Sequence, residues 1–579
     1  MPAAPGPEGR RLLTLAAICA IAAAFRFAGL AWGVPYFHFH IDEHFVFQGA
    51  DMLRRSVREA ASSGKFFMYG PLPMWILNGV RAVYERLAHP LLLTRNADEV
   101  TYMVMGRAIS ATLGTLSVPL AYAVARRTAG HAAGVLAALL LACTVAHLRE
   151  SHFFTVDVSM LFFAGLAWLF AMRIVDGGGV TDYACAGVAL GAALACKYSA
   201  LFVAVVIGTA HLCAPGAPWK GGNWGAWGRW IGKGLVPLGM AVAAFIVLDP
   251  MAVTYFAKFR ADVLTWVVAP NSGSWHPIFV AQFTDVHTLG YWFTNTLWWS
   301  LGPALELAGL AGVAWLLYRR DRRSLVAASF PLAYFVSAEQ GMPFIRYAVP
   351  LAMGLAVSAG VLCADLLASR RLRRVWIGGT MLLVLGTAVY AAAYMHVFLT
   401  ADSRLAASGW LRDNVPEGAH ILVEPSHNRP PTGSYLTGDV DFNGDYVMWG
   451  TRPSNRDRKD YYWLHTLDVY RTLYDPAAST DFRRQYIQSR LATSDWIVID
   501  ETFVEFYRHL PRNPYAPVKQ YYRDLFDGRL DFELVKTFKV YPSLFGIRIK
   551  DDAAELTFHQ FDHPAIFVFA RTHPAPRPR

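Results

Sequence analysis

LLTLAAICAIAAAFRFAGLAWG, Leu12–Gly33, leads through Val34–Phe37 into HFHIDEHF, His38–Phe45. The first stretch is long enough to cross a hydrocarbon core about 30 Å thick. It follows Arg10 and Arg11, is too long for the apolar region of a secretory signal, and is interrupted by Arg26. It therefore reads as a retained first span. The second stretch sets two adjacent carboxylates, Asp42 and Glu43, against a membrane surface, where carboxylates are costly to desolvate and often functional. The plainer reading is a solvated polar cap on a helix end.

Similar apolar runs recur through the first two-thirds of the 579 residues, of which 54% are hydrophobic and 17% charged. They fall at Arg107–Val124, Ala132–His147, Val158–Val175, Tyr183–Ala195, Ala200–Cys213, Ile231–Leu248, Thr294–Tyr318, Leu325–Ser337, Ala348–Leu367 and Val375–His396. With the first, these predict a polytopic α-helical membrane protein of about 11 crossings, Tyr183–Cys213 being alternatively one bent helix. Residues 34–105 form a long first loop in which Phe45–Val57 and Met74–Tyr84 have the spacing of short interfacial helices. Arg126/Arg127, Lys220/Arg229/Lys233, Arg319/Arg320/Arg322/Arg323 and Arg370/Arg371/Arg373/Arg374 share one side with Arg10/Arg11. That arrangement predicts a cytoplasmic N-terminus, with the C-terminus and the loop bearing Asp42 outside.

A division follows at about Thr400: residues 1–399 form the transmembrane domain, and 400–579 an extracytoplasmic domain nearly balanced in charge. Runs at His420–Val423, Trp496–Ile499, Phe532–Val540, Phe545–Ile549 and Ala565–Phe569 read as strands, with Trp463–Leu473 and Asp481–Ala492 as helices, giving an α/β or α+β fold. The net charge of +10 therefore belongs mainly to loops facing anionic lipid, not to a nucleic-acid surface. All six cysteines lie in the apolar part, without metal or disulfide spacing. The abundance of Ala and Arg, and the lack of an Asn-x-Ser/Thr acceptor, lean towards a bacterial plasma membrane.

On the external side of this topology, Asp42 and Glu43 are joined by Arg149, Glu150, His152 and Asp157 of RESHFFTVD, Lys197 of CKYS, and Arg346 with Tyr347 of FIRYAVP. Acids with several cations suit a reaction in which a hydroxyl loses a proton and a phosphate leaves. Each residue has a structural alternative: Lys197 and Arg346 as snorkelling side chains or partners of Glu339, Asp157 as a helix cap. His38, His40 and His44 beside Asp42 are of types that bind zinc, but their spacing fixes no coordination geometry. No cofactor is firmly expected: a divalent metal on these histidines is the minority alternative to imidazoles that hydrogen-bond or lie in the interface. The phosphate-binding loop, dinucleotide and nucleophile-elbow patterns are missing, which argues against nucleotide-driven transport and serine hydrolysis.

RFAGLAWGVPYFHFHIDEHF, YGPLPMWIL, HLRESHFFTVDVSMLFF, GAALACKYSALF and FIRYAVPL, in this order, followed by SRLAASGWLRDNVPEGAHILVE and FDHPAIFVF, resemble the GT-C membrane glycosyltransferases. The similarity is to family 39, the dolichyl-phosphate-mannose protein mannosyltransferase-like group, which is related to lipid A aminoarabinose transferases. It implies sugar transfer, with inversion, from a polyprenyl-phosphate donor to an extracytoplasmic hydroxyl of a protein, glycolipid or cell-wall glycan. By the same resemblance Asp42 is the catalytic base with Glu43 beside it, and Asp157 is the second-loop acid. Lys197, Arg346, Tyr347 and Arg149 are then placed for the donor phosphate, and Tyr69, Pro71 and His152 for the substrate pocket. The chain departs from its relatives in HIDE for HPDE and YGPL for YPPL or YPSL. The competing reading is a transporter or flippase of lipid-linked sugars, whose ionisable residues should lie near the bilayer midplane. Here they gather at span ends.

Overall fold

A computed structural model describes residues 6–34, 40–64, 66–88, 99–218, 224–269, 277–283, 286–339, 342–416, 418–426, 428–430, 447–448 and 463–573. The chain forms two compact units. The first comprises Met1–Leu30, Asp42–Ser274 and Thr288–Met395, and the second Ala31–Ile41, Trp275–His287 and His396–Arg579.

The first unit is helical. Its helices include α1 (Pro7–Phe27), α2 (Ile41–Arg55), α3 (Val57–Ser62), α4 (Leu72–Ala88), α5 (Glu99–Ala129), α6 (His131–Ala142), α7 (Val145–Glu150), α8 (Val156–Val175), α9 (Val180–Leu194), α10 (Val203–Cys213), α11 (Trp224–Leu248), α12 (Pro303–Arg319), α13 (Arg322–Glu339), α14 (Ala348–Ala368) and α15 (Arg373–Leu399). Five described stretches are long and apolar enough to cross a membrane: Val100–Ala129, Val156–Val175, Trp224–Leu248, Ile345–Ala368 and Arg373–Asn414. A sixth is added if Thr288–Leu301 and Pro303–Arg319, bent by 117°, are one span. The protein is thus an integral membrane protein with a large extramembrane domain.

Two of the expected spans are interrupted, and a third stretch resolves into the two helices expected of it. Ala132–His147 breaks after Ala142, where the buried Arg26 guanidinium donates to the carbonyls of Leu141 (3.2 Å) and Ala142 (3.0 Å) and meets His147 Nδ1 at 2.7 Å. The cation inside the first apolar stretch therefore satisfies backbone acceptors that hydrocarbon would leave bare. Thr294–Tyr318 bends at Gly302, whose φ of 79° only glycine adopts without penalty. Tyr183–Cys213 is two helices with a 3₁₀ turn, Tyr198–Phe202, between them. That break places Lys197 at a helix end. Small residues let α9 and α11 approach closely: a Cβ on Gly187 or Gly191 would lie 2.4 Å from Pro237 O or 2.5 Å from Ala241 O.

The second unit contains α16 (Ser403–Asn414), α17 (Thr480–Ala492), α18 (Glu501–His509) and α19 (Arg512–Phe526). Its strands are β1 (His420–Val423), β2 (Val447–Met448), β3 (Trp463–Thr466), β4 (Trp496–Asp500), β5 (Phe532–Phe538), β6 (Ser543–Leu544), β7 (Ile547–Arg548) and β8 (Ile566–Arg571). The main sheet runs β2-β3-β1-β4-β8-β5, with β3, β1 and β4 parallel and β2, β8 and β5 completing it by antiparallel pairing. Period-two alternation divides its side chains. Leu422, Ile497, Ile499 and Phe569 pack with α17, α18 and α19, while Ile421, Val423, Val498, Ile566 and Val568 pack with Ala407 and Leu411 of α16. The domain is consequently a helix–sheet–helix sandwich.

Trp463–Leu473, expected as a helix, instead begins as β3 and continues as turns. Pairing with β1 overrides its helix-like spacing. Phe545 and Gly546, inside an expected strand, form the positive-φ turn between β6 and β7.

Candidate active site

Four helix ends of the first unit supply the charged cluster. Asp42 lies in the first turn of α2 and Asp157 in the first turn of α8, where a carboxylate is favoured by exposed N–H groups. Lys197 stands at the break after α9, and Arg346 and Tyr347 in the 3₁₀ turn Ile345–Tyr347 that opens α14. Tyr69 Oη donates to Asp42 Oδ1 at 2.6 Å, and Arg346 pairs with the other oxygen, Oδ2. Lys197 Nζ donates to Asp157 Oδ1 at 2.6 Å. The Tyr347 ring links the two pairs, its centroid 4.5 Å from Lys197 Nζ and 5.3 Å from Arg346 Cζ. The cluster is largely shielded, so its charges interact more strongly than in water.

The loop carrying Tyr69 is held by main-chain bonds, Gly70 N to Cys196 O at 3.1 Å and Leu72 N to Ala195 O at 3.0 Å. A Cβ on Gly70 would be 2.0 Å from Ala195 O. A proline there would also lose the N–H that bonds Cys196. YGPL therefore fits a closer approach of the first loop to the Lys197 turn than a YPPL sequence would allow. Pro71 is buried beside it.

Glu43 is built differently from its neighbour. Its carboxylate takes both Nε (2.9 Å) and Nη2 (3.0 Å) of Arg107, with Phe154 N at 2.9 Å from Oε1. Glu43 and Arg107 are each 1% exposed. The pair fixes α2 to α5 and to the turn before α8. Arg107, which opens an expected span and reads as a flanking charge, belongs to this interior pair. Sequence spacing gives no sign of a partnership across 64 residues.

Arg149 donates to Glu150 Oε1 at 2.5 Å, both buried, and His152 lies with Nδ1 3.0 Å from Leu148 O and Nε2 2.9 Å from Ala28 O. The structure thus brings together Asp42, Tyr69, Arg346, Tyr347, Lys197 and Asp157 through their contacts. Glu43, Arg149 and His152 make contacts of their own. Of the histidines, His38 lies outside the described residues, and the His40 ring meets that of Phe561 in the second unit, their centroids 4.1 Å apart and the planes tilted by 35°. Among the described residues no three His, Cys, Asp or Glu side chains gather as a metal-binding group.

A separate set of ion pairs occupies the opposite helix ends. Asp176, after α8, takes Arg127 of α5 at 2.8 Å and Arg323 of α13 at 2.6 Å, and Asp365 of α14 takes Arg319 of α12 at 2.8 Å.

Residues 66–220 match the model of the dolichyl-phosphate-mannose-protein mannosyltransferase family. This range includes Tyr69, Asp157 and Lys197. The fold is similar to that of the Archaeoglobus fulgidus oligosaccharyltransferase solved with Zn and sulfate: 12% identity, TM-score 0.52, covering 94% of this chain and 74% of that one. The Archaeoglobus fulgidus oligosaccharyltransferase AglB, in complex with an inhibitory peptide and a dolichol-phosphate, is similar at 13% identity and TM-score 0.50, covering 87% and 71%. ArnT from Cupriavidus metallidurans bound to undecaprenyl phosphate is 12% identical at TM-score 0.43, covering 97% and 98%. No curated protein sequence matches the chain.

Proposed function

From the GT-C fold as premise, we propose that the protein is a membrane glycosyltransferase that moves a sugar, with inversion, from a polyprenyl-phosphate donor to an extracytoplasmic hydroxyl. The observation that carries this reading is the joining of Asp42–Arg346 and Asp157–Lys197 through Tyr347. Two cations beside two carboxylates at helix ends match what the reaction needs: positive charge where a phosphate leaves, and a base where a hydroxyl attacks. The likeness of residues 66–220 to the mannosyltransferase family supports the same chemistry.

In this mechanism Lys197 and Arg346 receive the donor phosphate. Arg346 leaves Asp42 as it does so, because a phosphate competes for a guanidinium with charge-assisted hydrogen bonds of its own. Release from the cation raises the proton affinity of Asp42. Tyr69 keeps the carboxylate oriented while its second oxygen takes the proton of the attacking hydroxyl. The anomeric carbon–oxygen bond to phosphate breaks as the new glycosidic bond forms, and Lys197 and Arg346 stabilise the negative charge that grows on the leaving phosphate. Replacing Lys197 or Arg346 by Met should weaken donor binding by roughly 1.5 to 3 kcal/mol and slow transfer further. Unchanged donor affinity and turnover in both variants would remove them from the site.

The proposed topology has about 11 crossings in a bacterial plasma membrane, a cytoplasmic N-terminus and an extracytoplasmic C-terminal domain. Its support is the grouping of Arg127, Arg319 and Arg323 at helix ends opposite the site, as the distribution of positive charge across membranes requires. A reporter fused after Arg579 should be active only when exported. Activity from a reporter that works only in the cytoplasm would reverse the orientation.

A further inference from the structure

Trp32 and His40 of the first loop, Arg404 of SRLAASGW and Phe561 of FDHPAIFVF come from stretches that the transfer mechanism leaves unused. All four belong to the second unit, and they meet around one guanidinium. Arg404 is wholly buried and grips Asp402 with two hydrogen bonds, from Nε at 2.9 Å and from Nη2 at 2.6 Å. Its Nη2 also donates to the Phe561 carbonyl at 2.8 Å, and its Cζ lies 5.5 Å from the centroid of the Trp32 ring. The Phe561 ring in turn lies against His40, with 4.1 Å between centroids.

The turn that carries Phe561 is braced on its other side. Ser403 Oγ, beside Arg404, donates to the Pro564 carbonyl at 2.7 Å. The buried His563 ring sits between Asp562, 2.9 Å from Nδ1, and Asp551, 2.7 Å from Nε2. Phe561 is therefore a fixed surface, and His40, only 1% exposed, is packed on it. An aromatic contact this close holds a side chain more firmly than its buried area alone would.

His40 stands two residues before Asp42. The chain passes from the second unit to the first at the Ile41–Asp42 bond, and α2 begins at Ile41. Asp42 thus lies in a first helical turn, where N–H groups have no acceptor within the helix and the end frays most readily. A base there keeps its aim if the residues before it are held. In the proposed mechanism Arg346 leaves Asp42 for the donor phosphate, which removes a restraint when the carboxylate must face the attacking hydroxyl. We infer that the second unit positions the base: Phe561, braced by Arg404, holds His40, and the two following peptide bonds carry that placement to Asp42. The inference rests on Asp42 being the base. His40 and Phe561 are positioning residues in this scheme.

The test measures single-turnover transfer and donor affinity in the full-length protein carrying His40→Ala or Phe561→Leu, each made in the wild type and in Asp42→Asn. In the wild-type background each should slow transfer about 10- to 100-fold, the scale of a displacement of about 1 Å at a reacting group. Donor affinity should stay within about twofold, because Lys197 and Arg346 are untouched. In Asp42→Asn the same substitutions should cost less than about threefold, since no base is left to aim. His40→Phe, which keeps a ring against Phe561, should recover most of the rate lost in His40→Ala. Should Phe561→Leu fail to fold, the His40 variants carry the comparison. Equal slowing in both backgrounds would show a merely structural role and overturn the inference. So would near-normal transfer by His40→Ala, or a His40→Phe variant as slow as His40→Ala. Near-normal transfer by Asp42→Asn alone is a different failure, which removes the base and leaves nothing for His40 to position.

Discussion

Asp42→Asn should bind the lipid donor almost as wild type does and transfer the sugar about 100- to 10,000-fold more slowly, the usual cost of losing a general base. The substitution preserves shape, and its amide oxygen still accepts from Tyr69, whose hydroxyl lies 2.6 Å from Asp42 Oδ1. It removes the charge that holds Arg346. In the donor-free protein that frees a guanidinium, so donor affinity should stay level or rise slightly while the chemical step collapses. A fall in both together would instead indicate that Asp42 holds the site in shape. The check is single-turnover transfer and donor affinity on the same purified variant, and near-normal transfer would show that another group is the base.

The charged cluster was legible in the sequence because its members lie at ends of apolar runs, where position along the chain translates into position across the membrane. Asp42, Asp157, Lys197 and Arg346 could be grouped without knowing which would touch. What spacing could not supply was pairing. Glu43 and Asp42 are adjacent in sequence, yet one is bonded to Arg107 in the helical interior and the other to Tyr69 and Arg346. Their side chains leave α2 in different directions, and only the packing of α5 decides which one meets a buried arginine. Gly70 was similar: YGPL was visible as a departure from related sequences, but its cause is the Ala195 carbonyl, more than a hundred residues away.

In the second unit the strands were legible where burial on both faces produced short apolar runs, at His420–Val423, Trp496–Asp500 and Ile566–Arg571. The helices α18 and α19 were not, because Glu501–Phe526 is rich in tyrosine, proline and charge. It folds as helix by setting Phe503, Phe506, Val518 and Tyr522 against the sheet.

The second large effect belongs to Glu43→Gln, and it should appear in stability. The carboxylate faces Arg107 through two hydrogen bonds, and both side chains are 1% exposed. Removing one charge from a buried pair leaves the other uncompensated, at a cost of about 3 to 5 kcal/mol. Gln can still accept from Phe154 N, but its amide nitrogen cannot accept from Arg107, so one arginine N–H also loses its acceptor. Unfolding of Glu43→Gln in detergent should therefore begin well below wild type, whereas Asp42→Asn should remain close to it. Transfer per folded molecule should fall less in Glu43→Gln than in Asp42→Asn. Replacing both members of the pair, Glu43→Leu with Arg107→Met, should recover part of the lost stability, because apolar groups of similar size do not leave a bare charge behind. If Glu43→Gln unfolds as wild type does but loses transfer more severely than Asp42→Asn, then Glu43 is the base and its bond to Arg107 opens during turnover.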